Sequence, residues 1–138
     1  MITQYDIDQA AEINARADKI SALQPGDGIT VSVWTDSEAF TIISRTDARM
    51  ILQQDKATLS PDWKPEWVAG GFAGHCTNQC DQTYTYERDE QGRVIEISLR
   101  RYTHNGTERR VWKKKGVGRK EIGGGVSRGR RKFHDYNF

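Results

Sequence analysis

Three groups of side chains in this sequence are suited to chemistry, and they are suited to binding. Trp63, Trp67 and Phe72 offer flat apolar faces within a short span. His75, Thr77, Asn78 and Gln79 follow directly with an imidazole, a hydroxyl and two amides. Arg128, Arg130 and Arg131 lie far downstream. A base stacked on an aromatic ring gains roughly 1–3 kcal/mol. Amides and hydroxyls read base edges or ribose hydroxyls, and the guanidinium fork matches a phosphate. Ring, amide and guanidinium are the parts of a nucleotide pocket, so these ten residues are the expected ligand contacts. Competing readings stand beside this one: core packing for at least one tryptophan, and a solvated basic strand for the arginines.

Other chemistries are less well provided for. His75, Cys76 and Cys80, with His104 or His134, have the atom types of a zinc site. Their Cys-x3-Cys spacing is loose and no second cysteine pair exists, so packed or incidental cysteines are expected, with no metal and no cofactor. The chain has no nucleophile elbow, no Walker lysine and no His-Glu-x-x-His, and GVGRKEIGGG lacks the order of a dinucleotide fingerprint. The expectation is a protein that is not an enzyme.

The elements that must position these groups follow from hydrophobic period. Over residues 3–23, Ala10, Ile13, Ala17 and Ile20 recur at helical spacing, acidic residues crowd the first turns, and Pro25-Gly26 stops the run. That stripe must dock on the body of the protein or on a second subunit. After Gly26-Asp27-Gly28 the period becomes two: Ile29, Val31 and Val33 alternate with polar residues, a turn at Thr35-Asp36-Ser37 leads to 39–44, and Arg45-Thr46-Asp47 leads to a third run at 48–54. The third run suits a helix equally well. Residues 56–82 lack a period but hold two tryptophans and a phenylalanine, which predicts an ordered aromatic loop. Strands resume at 84–87, 93–102 and 107–112 as a predicted three-stranded meander, the last two joined by Asn105-Gly106, a strong tight-hairpin signal. The expected fold is β-rich α+β: an N-terminal helix, then a small SH3-like, barrel-like antiparallel sheet with a long aromatic loop. The 138 residues suffice for one domain, with 1–25 a helical extension and 26–138 a β-rich core ending in a basic tail.

Charge divides along the chain. Residues 1–100 carry a balance of −7 and residues 101–138 a balance of +9, within a formal net charge of +2. Such asymmetry marks a face for an anionic partner, or an acidic front and basic tail that neutralise each other within or between subunits. No apolar run reaches membrane-spanning length, the first residues are polar and acidic, and two cysteines are too few for a disulfide framework. A cytoplasmic location in a host cell and no membrane partner are expected.

The combination of GDGITVSVWTDSEAFTII (26–43), QQDKATLSPDWKPEWVAGGFAGHCTNQCDQTYTYE (53–87), DEQGR (89–93) and KFHDYNF (132–138) resembles a group of small proteins of bacteriophages and mobile elements, most without an assigned activity. It is also similar, more loosely, to phage proteins that antagonise the Thoeris defence system by sequestering its signal. The resemblance implies an oligomer of small β-rich subunits that binds a nucleotide immune signal, a cyclic ADP-ribose isomer or a cyclic oligonucleotide, without turning it over. The alternatives are a phage inhibitor that binds nucleic acid or nucleoprotein, and a phage structural or assembly protein.

Overall fold

Thr3 begins the first element. In the computed structural model, which describes residues 1–70, 73–118 and 123–137, its hydroxyl accepts from the Asp6 backbone N–H while the Asp6 carboxylate accepts from Thr3 N–H, a reciprocal capping box. Helix α1 runs Gln4–Ser21. Ala10, Ala17 and Ile20 are buried and Ile13 is half-buried, as the stripe requires. Asn105 and Thr3 both donate to the Asp6 carboxyl and hold it below the usual aspartate range.

Strands β1 (Gly28–Val33), β2 (Asp36–Arg45) and β3 (Arg49–Gln54) form the antiparallel meander, so the ambiguous third run is a strand. The first hairpin turns at Trp34-Thr35 rather than at Thr35-Asp36-Ser37, with Val33 paired to Asp36 and Trp34 at φ 56°. A bulge between Ile42 and Ser44 leaves Ile43 exposed.

Residues 56–82 depart from the expected loop. They contain β4 (Lys56–Leu59), β5 (Trp67–Gly70), β6 (Ala73–Cys76) and a 3-10 turn at Gln79–Asp81. Strand β7 (Tyr84–Glu87) pairs with β4 in a two-stranded ribbon, and β5 pairs with β6 in another. The predicted meander of 84–87 with the next two strands is therefore corrected. Strand β8 (Val94–His104) pairs with β3 on one side and with β9 (Thr107–Lys114) on the other. The β8–β9 turn is Asn105-Gly106, at φ 49° and 77°, the positive pair a primed turn demands.

The last strand, β10 (Val126–Arg128), pairs with β1 in a six-stranded antiparallel sheet ordered β10-β1-β2-β3-β8-β9. Just before it, Gly125 O accepts from Ser32 N–H at 2.9 Å and Gly124 O accepts from Lys114 N–H at 3.0 Å. A Gly125–Lys113 bridge completes the contact, so residues 124–128 stand between β1 and β9 and the sheet is a nearly closed barrel. Its core holds Ile29, Val31, Phe40, Met50, Leu52 and Ile97, each fully buried. Each such side chain contributes roughly 1.5–3 kcal/mol of burial energy. Helix α1 docks on its own barrel against β9 and β10, contributing Ala17 and Ile20 to the core beside Trp112. Polar ties fix its register: Asn14 bonds Glu108 O and Arg110 N–H, and the Trp112 indole donates to Ser21 Oγ at 3.0 Å. No helix among the described residues is long and apolar enough to cross a membrane.

Candidate functional site

The described part of the expected aromatic loop is ordered, and its order comes from several of the residues expected as ligand contacts. Trp63 is buried, donates from its indole N–H to Asn78 O at 3.2 Å, and packs its ring 5.3 Å from that of Tyr136. Asn78 is a fastener. Its amide N–H donates to Lys64 O at 2.8 Å, while its side-chain oxygen accepts from Glu66 N–H at 2.8 Å and from the Cys76 thiol at 3.4 Å. The Thr77 hydroxyl donates to Glu66 O, and the Gln79 side-chain oxygen accepts from Tyr136 N–H. Trp67 and His75 remain exposed on the β5–β6 ribbon, with the Trp67 ring edge-on to Tyr136. Phe72 lies outside the described residues.

Tyr136 belongs to a C-terminal segment that stitches this region to the barrel. Asn137 exchanges two hydrogen bonds with the Cys76 backbone, and Gln82 exchanges two with that of His134. Phe133 bridges to Ser37. Asn137 N–H donates to the Asp135 carboxyl and holds it below the ordinary range. Tyr84, between the ribbon and this segment, is pushed up to about 12 by burial and by neighbouring Tyr136, Tyr86 and carboxylates. Residues 76–82 and 132–137 are thus two halves of one amide-to-backbone seam. The Cys76 backbone and the Gln79 and Gln82 side chains bond across the seam, while Thr77 and Asn78 bond back to Lys64 and Glu66.

The three arginines divide. Arg130 donates to the buried Asp55 carboxylate at 2.7 Å and to Thr41 Oγ1 at 2.8 Å, its own side chain one-third exposed. Arg131 is exposed, its backbone N–H donating to Thr30 Oγ1. Arg128 projects elsewhere, into a cleft between α1 and β10 lined by Arg16, Lys19, Ile20, Val126 and Ser127. The structure brings Trp63, Trp67, Thr77, Asn78 and Gln79 together, and it does not bring the arginines to them.

The Arg128 cleft opens into a larger one. A groove of about 280 Å³ runs between α1 and β9, floored by Ile13, Ala17, Val111 and Trp112 and flanked by Tyr102 and Arg110. Arg16, Ile20 and Val126 line both cavities, making them one continuous depression. Arg110 is held by Asp18 through three hydrogen bonds of 2.7–2.9 Å, and Arg16 pairs with Glu12. Among the described residues, the Lys19 and Arg128 side chains have no hydrogen-bond or ion-pair partner. An apolar floor with two unpaired cations at one end suits a ligand with a ring at one end and an anion at the other.

Sequence reasoning named Arg128 and missed Arg16, Lys19 and Arg110. The signal was present: Arg16 and Lys19 sit three apart, flanking the buried Ala17 and Ile20, and Val126 and Arg128 share one strand face. Among the described residues no group of three His, Cys, Asp or Glu side chains is placed to hold a metal ion. Comparison of the chain with models of protein families, with curated proteins and with solved structures finds no match.

Proposed function

We propose that this protein binds a small nucleotide in the groove along α1 and holds it without turnover, and that it serves as a sequestering agent, in the manner of a phage-encoded trap for a nucleotide immune signal. The observation that carries the reading is the placing of Lys19 and Arg128, unpartnered among the described residues, beside the apolar floor made by Ile13, Ala17, Val111 and Trp112. A phosphate between two cations gains charge-assisted hydrogen bonds while a base or ribose covers the floor. Sequestration needs only affinity and slow release.

The test is thermal denaturation with a cyclic ADP-ribose isomer and with a cyclic dinucleotide. Ligand at a hundredfold over its Kd adds about 2.7 kcal/mol and raises Tm. Arg128→Ala, at an exposed position, is expected to leave the free protein's Tm unchanged and to weaken binding about ten- to a hundredfold, the loss of one charge-assisted contact. The nucleotide recovered after heating should be intact. A shift that survives Arg128→Ala but disappears in Trp67→Ala would place the ligand on the aromatic loop instead, and cleaved nucleotide would replace the trap with an enzyme.

A further inference from the structure

The β5–β6 ribbon stands outside the six-stranded sheet, and none of its described residues lines the groove along α1. The bonds at its base fix which backbone groups point outward. Thr77 N–H donates to Glu66 O at 2.9 Å, so in the Glu66–Thr77 pair the backbone groups face each other. Facing and outward pairs alternate along an antiparallel ribbon. Val68 and His75 therefore bond to each other, whereas the backbone groups of Trp67, Ala69, Gly74 and Cys76 point away from the partner strand. Asn137 marks the same alternation, since its side chain exchanges two hydrogen bonds with the outward backbone of Cys76. That contact occupies the β6 edge. On the β5 edge the N–H and C=O groups of Trp67 and Ala69 have no partner among the described residues.

Residues 66–69 are exposed, with Trp67 and Val68 keeping 53% and 49% of their surface. Proteins blunt such an edge with a lysine, a proline or a bulge. Residues 67–69 hold neither residue, and the ribbon register is unbroken. The edge is firmly presented, because Asn78 ties Lys64 O and Glu66 N–H at its foot and Asn137 ties Cys76 beside them. The segments that meet at this foot are acidic: they carry Asp62, Glu66, Asp81 and Asp135 against Lys64.

We infer that the β5 edge takes up an extended basic segment of another protein as an added strand, with lysine or arginine alternating with aliphatic residues. Main-chain bonds to Trp67 and Ala69 supply the affinity, and alternate side chains supply the selectivity. The long stem of a lysine or arginine covers the exposed Trp67 indole, and its charge meets the carboxylates at the foot of the ribbon. Pairing with β5 of a second copy would bring two acidic feet together, so charge favours a basic partner over self-association.

The experiment titrates the full chain with a fluorescein-labelled peptide alternating lysine with valine, and with its glutamate–valine counterpart, and follows amide hydrogen exchange by NMR. The lysine peptide should bind and the glutamate peptide should not. Binding should slow exchange at Trp67 and Ala69 and leave Val68, already bonded to His75, unchanged. Ala69→Pro deletes one outward N–H without removing a ribbon bond and should weaken binding about three- to tenfold. Ala69→Ser keeps that N–H and should bind as wild type does. Glu66→Gln should weaken binding and flatten its dependence on salt. If Ala69→Pro fails to fold, the exchange pattern of the wild type decides alone. Lysine-peptide binding without protection at Trp67 and Ala69 reduces the contact to charge and overturns the added strand. Protection of those amides that grows with protein concentration in the absence of peptide makes the occupant a second copy and overturns the basic partner. Failure of the lysine peptide to bind overturns the inference outright.

Discussion

Arg130 closes over a buried carboxylate, and the difference in burial between the two partners sets what each substitution costs. The Asp55 side chain is 1% exposed and the Arg130 side chain 32% exposed. Asp55 accepts from Thr41 Oγ1 at 2.6 Å and from Arg130 Nε at 2.7 Å, with Arg88 at 3.9 Å as the next cation. Arg130→Ala removes the close cation and leaves a carboxylate in the interior, which costs about 3–5 kcal/mol. Asp55→Asn removes the charge from the buried side of the pair, and the guanidinium left behind can hydrate at the surface. Its cost is that of one charge-assisted hydrogen bond, about 1.5–3 kcal/mol. With a urea m-value of about 2 kcal/mol/M, Arg130→Ala should lower the unfolding midpoint by about 1.5–2.5 M and Asp55→Asn by about half of that. The double variant should recover part of the Arg130→Ala loss, because the buried charge is then gone. Equal costs for the two single variants, or a double variant equal to their sum, would refute the burial asymmetry on which this reasoning stands.

Two further outcomes follow from the same kind of accounting. Asn78→Ala deletes bonds to Lys64, Glu66 and Cys76 and should cost about 1–3 kcal/mol, with tryptophan emission moving to the red as Trp63 loses its cover; unchanged emission would mean that Asn78 does not fasten the loop. The folded-state pKa of Asp6 is depressed, so the stability it contributes is complete above the unfolded value of about 3.9 and is lost as pH falls through the folded value. Asp6→Asn should therefore lower Tm at about pH 7, and the difference should shrink as pH falls below the unfolded value of about 3.9; a Tm difference independent of pH would contradict the hydrogen-bonded carboxylate.

How much of this was legible in the sequence depended on how local the cause was. The α1 stripe, the change of period at Gly28 and the Asn105-Gly106 turn are properties of a few adjacent residues, and each marks its element correctly. The partner of β7 is not local: β4 sits far upstream, and only long-range pairing chooses it over β8. Barrel closure was hidden for another reason. Gly124 and Gly125 have no side chain to signal a strand, yet it is their backbone that accepts from Lys114 and Ser32. Asn78, Gln79 and Gln82 carry the atoms of a base reader, and nothing in their type distinguishes reading a base from reading the backbone of Lys64 and Glu66, of Tyr136 and of His134. The groove is assembled from residues 13–20, 102–112 and 125–128, so no stretch of sequence contains it.

The seam between residues 76–84 and 132–137, together with closure by 124–128, bears on how the chain is made. Cys76 meets Asn137, Thr30 meets Arg131 and Ser37 meets Phe133, pairings across sixty to a hundred positions. Such long loop closures slow folding. During translation, β1, β2 and β3 emerge early with one rim unsatisfied, and α1 emerges before the β9 surface that it covers. The final arrangement waits until residues 124–137 have cleared the ribosome. In the meantime the nascent polypeptide exposes bare strand margins, so its yield in a cell will depend on chaperone supply and growth temperature more than the stability of the finished product would suggest.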